Sequence, residues 1–405
     1  MALPRGPCAR HDLPSHRPAA PRAALTPPFP GGCRGRSAPG IRCPAHPFDR
    51  RTTVKSLITG GAGFIGSHLT EYLLQQGDDV IVLDDLSTGS LRNLAGVSDN
   101  PRLRFVEGNI LDKALVTGLI TGRDRVFHLA AAVGVKLIVE EPLTSLRTNI
   151  HGTENVLDAC VAAGATLLLA STSEIYGKNT ADSLDEDSDR ILGSALKSRW
   201  TYAAAKGIDE AFAHAYWREL GLSVAIVRLF NTVGPRQTGR YGMVFPNLVG
   251  QAQRGEPLTV FGDGRQTRCF SYVGDIVPAL VRLAETPAAY GLAVNMGGAQ
   301  EISILGLAER VIDVLGSTST ISLIPYEQAY APGYEDMRRR VPNNGLARKL
   351  VDFEPRTPLD DVIRNVAGAA VAGGNGNEAM ALAGSPLHPH DPGLVAAGSQ
   401  TPGVL

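Results

Sequence analysis

Two titratable residues, Tyr202 and Lys206, are spaced so that they could carry out proton transfer together. They are the ends of the run Tyr-Ala-Ala-Ala-Lys, and this spacing puts both side chains on one face of a helix. A neighbouring ammonium lowers the pKa of a phenol, so the phenolate can act as a base on a hydroxyl while hydride leaves the same carbon. The pattern alone is common on helix surfaces, so its meaning depends on the elements around it.

A glycine-rich turn upstream predicts a dinucleotide site. Residues 59–66 read Thr-Gly-Gly-Ala-Gly-Phe-Ile-Gly, follow a short apolar run of strand type and open onto a helix. In this context Gly60 allows a tight turn, Gly63 lets the backbone approach a pyrophosphate, and Gly66 lets the helix pack on the strand. The helix N-terminus then supplies free N–H groups and a partial positive charge for the phosphates.

An acidic residue follows at the distance that a dinucleotide site requires. Residues 80–83 form a second buried strand that ends in Asp84 and Asp85, about twenty residues after the turn, where a carboxylate takes the ribose hydroxyls. No Arg or Lys follows until Arg92, so NAD is favoured over NADP. The positive charge of a bound nicotinamide adds to that of Lys206 and lowers the pKa of Tyr202 further.

The composition is that of a soluble globular protein. The chain has 405 residues, 43% hydrophobic and 20% charged, with a net charge of −1, which gives no electrostatic reason to bind nucleic acid or an anionic membrane. No uncharged apolar run reaches membrane-spanning length. Outside the N-terminal tail the cysteines are Cys160 and Cys269, and no Cys-x-x-Cys spacing occurs, so we predict no metal site and a reduced, cytoplasmic protein.

Strands and helices alternate between two tails. Residues 1–51 are rich in Pro and Arg, and residues 371–405 are rich in Gly, Ala, Pro and Ser, so we predict both to be disordered. Between them, six predicted strands alternate with helices, which indicates an α/β fold with a Rossmann-like, doubly wound parallel sheet. We assign residues 52–230 to an NAD-binding domain and residues 231–370 to a smaller C-terminal substrate-binding lobe.

Several independent motifs resemble one enzyme family. Between about residues 54 and 366 the chain looks like the extended short-chain dehydrogenase/reductases, which include nucleotide-sugar epimerases, dehydratases and decarboxylases. The segments that carry the resemblance are residues 59–69, 128–131, 149–153, 171–177, 202–206, 228–235 and 261–270. The resemblance implies a nucleotide-sugar substrate, with UDP favoured, and a homodimer formed through the helices at 144–163 and 202–220.

The resemblance also implies a role for individual residues. The catalytic set is Thr172, Ser173, Glu174, Tyr202, Lys206 and Arg268. The cofactor-binding set is Gly60, Gly63, Phe64, Ile65, Gly66, Asp84, Asn109, Ile110, Leu129, Ala130, Ala131, Asn149, Tyr202 and Lys206. The substrate-binding set is Lys136, Asn231, Arg236, Arg268 and Arg340. Asn109 and Ile110 stand where the family usually has Asp followed by Ile or Val against the adenine, and Asn149 is expected to help orient the lysine.

The run Thr172-Ser173-Glu174 favours one branch of this family. Thymidine-type 4,6-dehydratases carry Thr-Asp-Glu, and simple 4-epimerases generally have a small or neutral residue at the glutamate position. Thr-Ser-Glu resembles UDP-glucuronate decarboxylases, although GDP-mannose dehydratases also use it. We therefore predict a UDP-glucuronate decarboxylase, with a 4-epimerase or a 4,6-dehydratase as the alternatives. A non-catalytic, NAD-sensing regulatory protein on the same fold is the alternative of another class.

Overall fold

The structure is a computed structural model that describes residues 53–132, 141–239, 243–329, 335 and 337–372. The predictions for residues 1–51, for residues 373–405 and for Lys136 lie outside the described residues. Helix α10 (Leu359–Ala372) includes residues 371 and 372, which we had predicted to begin the second tail. Across the described residues, no helix combines the length and the apolarity that crossing a membrane requires.

Strands and helices alternate through the first half of the described chain. The strands are β1 Lys55–Thr59, β2 Asp79–Asp84, β3 Leu103–Glu107, β4 Arg125–His128, β5 Thr166–Thr172, β6 Val224–Leu229, β7 Thr232–Val233, β8 Leu258–Phe261, β9 Thr267–Cys269, β10 Ser271–Tyr272, β11 Ala293–Met296, β12 Glu301–Ser303, β13 Ile321–Ile324 and β14 Arg339–Arg340. The α-helices are α1 Phe64–Gln76, α2 Lys113–Ile120, α3 Pro142–Ala163, α4 Thr201–Leu220, α5 Val244–Arg254, α6 Val273–Ala284, α7 Ile304–Leu315, α8 Tyr326–Ala329, α9 Gly345–Val351 and α10.

A parallel sheet dominates the fold. Within the described residues it has seven strands in the order β11-β6-β5-β4-β1-β2-β3, and each neighbouring pair is parallel. The chain winds outward from β1 in both directions, which is the doubly wound order of Rossmann-like folds. The predicted fold class is therefore confirmed. The count of six strands is wrong, because β11 adds a seventh beyond β6.

Apolar side chains on both faces of the sheet explain why its strands read as continuous hydrophobic runs. On one face, Ile58 belongs to a core that also contains Leu69 of α1 and Leu280 of α6. On the other face, Leu57 belongs to a core shared with α2, α3 and α4, which includes Leu157. Neighbouring residues of one strand thus serve opposite layers, which fixes the register of the sheet.

The second half of the chain builds a smaller set of elements and also returns to the large sheet. Helices α5, α7 and α10 enclose a separate core around Leu248, Leu307 and Ile363. Strand β9 lies between β12 and β14, and β8 pairs with β13. Helix α6 and strand β11 belong to the range 231–370, yet they pack with the large sheet. The domain boundary at residue 230 stays a prediction.

The turn from β1 into α1 leaves no room for side chains. Gly60 has φ +75°, in the left-handed region that favours glycine. A Cβ on Gly66 would lie 2.1 Å from the Gly60 carbonyl oxygen and 2.7 Å from the Gly61 Cα. The first turn of α1 can therefore approach β1 only because residue 66 is glycine.

Replacing Gly66 with Ala tests this constraint on the free energy of unfolding. We expect Gly66→Ala to lower it by about 1–3 kcal/mol or more, the usual cost of overpacking a rigid site. Gly118→Ala is the control, because a Cβ there meets nothing within 4 Å and Ala in a helix interior gains about 0.5–1 kcal/mol over Gly. Denaturant unfolding measures the free energy of unfolding of both variants. A Gly66→Ala protein as stable as the wild type would show that the turn can accommodate a side chain.

Candidate active site

The candidate site is a cavity of about 820 Å³ at the carboxyl ends of the parallel strands. Strands β1 and β4 are neighbours there, and the chain leaves them toward opposite sides of the sheet, which is the crevice where doubly wound folds bind ligands. One wall comes from the ends of β1, β2, β4, β5 and β6. The opposite wall comes from α5, β8 and β9 of the second half, so both halves enclose the cavity.

The glycine turn forms one end of the cavity and fits a dinucleotide pyrophosphate. Phe64, Ile65 and Gly66 make the first turn of α1 and line the cavity, and backbone N–H groups at this position have no acceptor within the helix. Gly63 lines the cavity as well, and a Cβ on it would meet only the Gly60 carbonyl oxygen, at 3.1 Å. The bare backbone and the helix N-terminus together suit a bound phosphate.

Most residues predicted to bind the cofactor line this one cavity. Besides the glycine turn, they are Asp84, Asn109, Ile110, Leu129, Ala130, Ala131, Tyr202 and Lys206. Together with the glycine turn, they come from the carboxyl ends of the four strands β1 to β4 and from α4, so the tertiary fold brings them together. Their convergence on a single cavity agrees with the predicted NAD site.

Asp84 is held by the backbone on the ribose side. Its Oδ2 accepts a hydrogen bond from the Ala62 N–H and its Oδ1 accepts one from the Leu86 N–H, both at 2.9 Å. Burial raises the pKa of Asp84, and these backbone hydrogen bonds oppose that rise. An ionised carboxylate offers about four lone-pair sites, so beside its hydrogen bonds with the backbone of Ala62, Gly63 and Leu86 the group keeps capacity to accept from a ribose hydroxyl.

Asn109 already has partners on both ends of its amide. Its Nδ2 donates to Asp85 at 2.7 Å, and its Oδ1 accepts from the Leu111 N–H at 2.9 Å. The amide therefore shapes the loop after β3 while it lines the cavity. Its contact with an adenine amino group stays a prediction, and it would use the second lone pair of Oδ1.

The proton-transfer pair lies at the middle of the cavity. Tyr202 and Lys206 are buried on α4, with 7% and 2% of their surface exposed, and Thr172 lines the same cavity at the end of β5. Burial raises the pKa of Tyr202, and the negative charges of Glu174 and Asp209 raise it further. The sequence predicts a lowered pKa for Tyr202. The protein without its cofactor does not show this, because burial and the charges of two carboxylates stabilise the neutral phenol.

Glu174 is surrounded by guanidinium groups. Arg199 donates to both of its oxygens, at 2.7 and 3.3 Å, and Arg340 lies 3.4 Å from Oε1. Burial by itself would raise the pKa of Glu174, but the charges of Arg199, Arg340 and Arg268 outweigh it and lower the pKa below its ordinary value. Glu174 is therefore a fixed anion in an arginine cluster, and not a solvated carboxylate.

Arg340 joins the cluster to other predicted site residues. It donates to the Ser173 hydroxyl and to the Asn231 side-chain oxygen, each at 3.3 Å. Arg268 is buried on β9 and, like Ser173, Asn231 and Arg340, lines the cavity. Residues predicted separately as catalytic and as substrate-binding thus occupy one region beside Tyr202.

Two predicted site residues lie elsewhere. Arg236 donates to Glu71 at 2.6 Å and to Ser67 at 3.2 Å, so its guanidinium rests on α1 and not among the residues that line the cavity. Asn149 is bonded to both backbone groups of Ala132, at 2.9 and 3.2 Å, and it shapes the loop after β4. Roles for these two residues in binding substrate and in orienting the lysine stay predictions.

Arg199 and Glu335 hold residues of the site in place, although the sequence motifs assign no role to either. Arg199 pairs with Glu174, while Glu335 accepts from Trp200 at 2.9 Å and from Lys197 at 2.5 Å. Glu335 thereby ties the segment before β14 to the residues that lead into Tyr202. The signal was present in the motif Lys-Ser-Arg-Trp-Thr-Tyr that ends at Tyr202, whose charged residues have no assignable partner in the sequence alone.

Comparison with known proteins places the chain in a family. The family described as "NAD dependent epimerase/dehydratase family" matches residues 56–297. A relative named UDP-N-acetyl-alpha-D-glucosaminuronate decarboxylase, from Bacillus cytotoxicus, is 39% identical over 76% of this chain and 95% of its own length. UDP-glucuronic acid decarboxylase 1 from Arabidopsis thaliana is 35% identical over 81% of this chain and 71% of its own.

A solved structure agrees in fold. UDP-glucuronic acid 4-epimerase from Bacillus cereus, crystallised with UDP-glucuronic acid and NAD, superposes with a TM-score of 0.71 at 29% identity. The alignment covers 79% of this chain and 99% of the epimerase. The chain belongs to the NAD-dependent epimerase/dehydratase family, and it is an NAD-dependent enzyme of the extended short-chain dehydrogenase/reductase type. The non-catalytic alternative is therefore not supported.

The preference for NAD over NADP can be measured directly. A 2′-phosphate next to Asp84 meets like-charge repulsion of about 1–3 kcal/mol, so we expect NAD to bind about 10- to 100-fold more tightly than NADP. Titration of the purified protein with each nucleotide gives the two dissociation constants. Asp84→Asn should reduce the difference between the two dissociation constants, because it removes the charge and keeps the size of the side chain. Equal affinities in the wild type would contradict the role of Asp84.

Replacing Tyr202 with Phe tests the proton acceptor. The phenyl ring keeps the packing but removes the hydroxyl, so we expect turnover to fall by about 10²–10⁴-fold with NAD affinity nearly unchanged. Turnover and NAD affinity are measured on the same preparation. Tyr290→Phe is the matched control, because that hydroxyl bonds the Ala284 carbonyl away from the cavity. Wild-type turnover in Tyr202→Phe would show that Tyr202 is not the proton acceptor.

Proposed function

We propose that this enzyme decarboxylates a UDP-hexuronate, with UDP-glucuronate as the first candidate substrate. The observation that carries the proposal is the arginine cluster around Glu174. Among the described residues, Arg199, Arg268 and Arg340 all lower the pKa of this one carboxylate through their positive charge. Arg268 and Arg340 line the cavity together with Thr172 and Tyr202, where an anionic sugar could meet them.

In our proposal the arginines contact both Glu174 and the ligand. The two-point contact of Arg199 with Glu174 makes that carboxylate a weak base, because its pKa is lowered. Glu174 therefore holds the arginines in place. Arg268 and Arg340 both line the cavity, and a guanidinium is a planar, permanently charged partner for a carboxylate. In our proposal these two side chains orient the substrate carboxylate next to Ser173.

The chemistry starts at the C4 hydroxyl. Tyr202 takes the hydroxyl proton, and Thr172 hydrogen-bonds the same oxygen. Bound NAD would supply the acceptor for the C4 hydride and would give that hydride back, so no net NADH would form. With C4 oxidised, the C6 carboxylate is part of a β-keto acid. The C5–C6 bond then breaks, carbon dioxide leaves, and the electron pair moves toward the C4 oxygen near Tyr202. A proton from water is added at C5, and Tyr202 returns its proton to the C4 oxygen when the hydride is restored, which completes the pentose.

The rival activities make weaker use of these residues. A 4,6-dehydratase must protonate a departing 6-hydroxyl, and Ser173 is a far poorer acid than the aspartate of thymidine-type enzymes. A 4-epimerase of a neutral hexose has no carboxylate at C6, so the arginines that line the cavity would have no ligand group to bind. A 4-epimerase of UDP-glucuronic acid, such as the similar structure from Bacillus cereus, acts on the same carboxylate, and only the product distinguishes it from a decarboxylase. The two relatives described above are named decarboxylases of UDP-uronates, which supports the same proposal.

Assembly and location complete the proposal. A homodimer through α3 and α4 is supported by the exposed apolar side chain of Ile208 on α4. A cytoplasmic location is supported by Cys160 and Cys269, which are free and buried. We propose that residues 52–230 chiefly bind NAD and that residues 231–370 supply Asn231, Arg268 and Arg340 to the substrate.

Product analysis tests the proposed reaction. UDP-glucuronate and UDP-N-acetylglucosaminuronate are each incubated with enzyme and NAD, and carbon dioxide release and proton NMR spectra are recorded. We expect carbon dioxide and a UDP-pentose in equal amounts, without accumulation of NADH. UDP-glucose, which lacks the carboxylate, is the control and should release nothing. Inversion at C4 without release of carbon dioxide would show that the enzyme is an epimerase and not a decarboxylase.

A further inference from the structure

Lys206 is buried together with a carboxylate that the sequence analysis did not consider. The Lys206 side chain is 2% exposed and Asp209, one helical turn later, is 0% exposed. The Lys206 Nζ lies 3.1 Å from the Asp209 Oδ2, in the geometry of an ion pair and not of a linear hydrogen bond. An ammonium so deeply buried requires a counter-charge nearby, because leaving water as a lone ion is very costly.

Asp209 is the last member of a row of buried polar side chains. Burial raises the pKa of Asp209, and the charge of Lys206 together with the neighbouring Thr153 side chain of α3 opposes that rise, although neither Asp209 oxygen makes a hydrogen bond of good geometry. The Thr153 Oγ1 is 3.1 Å from the His128 Nε2, and the His128 Nδ1 is 2.7 Å from the Thr59 Oγ1. His128 is 1% exposed, and the other three residues of the row are fully buried. The row therefore runs through β1, β4, α3 and α4 without contact with solvent.

His128 is neutral within this row. Burial, aided by the charge of Lys206, lowers the pKa of His128 to about 3, so the ring stays neutral at physiological pH. A neutral imidazole donates from one ring nitrogen and accepts at the other, so His128 can bridge the hydroxyls of Thr59 and Thr153.

We propose that Asp209 is the positioning residue for Lys206, held by its ion pair with the lysine next to the end of the hydrogen-bond chain Thr59–His128–Thr153. Thr59 is the residue directly before the nucleotide-binding glycine turn, and it also accepts from the Ala130 N–H at 3.3 Å. The chain thus joins the two loops that line the cofactor cavity to the lysine side chain. The lysine has four rotatable bonds, and the chain fixes one position for its ammonium.

Asp209 also limits how strongly Lys206 activates Tyr202. Its negative charge lies close enough to raise the pKa of the tyrosine. The other charged or titratable groups near this pair are Glu174, Glu210, Arg199, Arg268, Arg340 and the neutral His128. Arg228 neutralises Glu210 through a two-point ion pair, with Nη2 2.7 Å from Oε2. None of these groups changes when Asp209 alone is altered, so an Asp209 variant reports on that one charge.

The test uses Asp209→Asn in the full chain. Asparagine keeps the size of the side chain and removes the charge. This inference rests on Tyr202 and Lys206 being the reacting pair of the proposed function, so binding and titration are measured without turnover. NAD affinity is measured by titration, and the ionisation of Tyr202 is followed by phenolate absorbance with NAD bound, after subtraction of the Tyr202→Phe spectrum. Both readouts work whether or not carbon dioxide is released.

Two effects are expected in Asp209→Asn. The loss of a charged anchor for the ammonium should weaken NAD binding about tenfold or more. The loss of a negative charge should move the ionisation of Tyr202 about half a pH unit to one unit lower. A purely structural carboxylate would lower stability without moving that ionisation. Unchanged NAD affinity together with an unchanged Tyr202 titration would overturn the proposal.

Asp78→Asn is the matched control. Asp78 is also buried and pairs with Arg125 at 2.6 Å, but it lies at the amino end of the strands, away from the cavity. This variant should lose stability and keep both readouts at wild-type values. A shift of either readout in Asp78→Asn as large as that in Asp209→Asn would mean that general destabilisation, and not the chain, explains the effect.

Thr153 gives a second route if Asp209→Asn fails to fold. Thr153→Val keeps the shape and all charges but breaks the chain, so NAD binding should weaken about 3- to 10-fold. Thr153→Ser restores the hydroxyl and should return the affinity to the wild-type value. If Val and Ser bind NAD equally well, the hydroxyl has no part in placing the lysine and the chain is not the positioning device.

Discussion

The close approach of α1 to the end of β1 is the constraint on which the rest of the site depends. It brings the Gly66 Cα near the Gly60 carbonyl, where no side chain fits. The first turn of α1 can then point its backbone N–H groups into the cavity. The same turn carries Thr59 and contacts Ala130, so the loops after β1 and β4 lie together. A bulkier turn would separate the phosphate site from the reacting residues.

Buried charge is handled in pairs throughout the site. Lys206 is matched by Asp209, Arg228 by Glu210, and the arginine cluster by Glu174. Each pair joins different layers of the fold or successive turns of one helix, and each is costly to break because a lone buried ion is poorly solvated. In the arginine cluster, Arg268 and Arg340 also line the cavity, which is why our proposal gives them the substrate anion.

The division of labour between the two halves follows from topology. The parallel sheet places the cofactor loops and Tyr202 at one edge, and strands β9 and β14 of the second half bring Arg268 and Arg340 over that edge. Arg340 meets Glu174 across 166 residues of sequence. Because α6 and β11 return to the large sheet, the two halves share cores, and the position of these arginines depends on the whole fold.

The sequence by itself determined the features that depend on short spacing. The glycine turn, Asp84 after the second strand, and the four-residue step from Tyr202 to Lys206 are each set by local geometry, so the fold class and the cofactor could be predicted. Only the tertiary structure decided the partners of the charged residues. It paired Glu174 with Arg199, placed Arg236 on α1 and buried Asp209 beside Lys206, because such pairings depend on how separate elements pack.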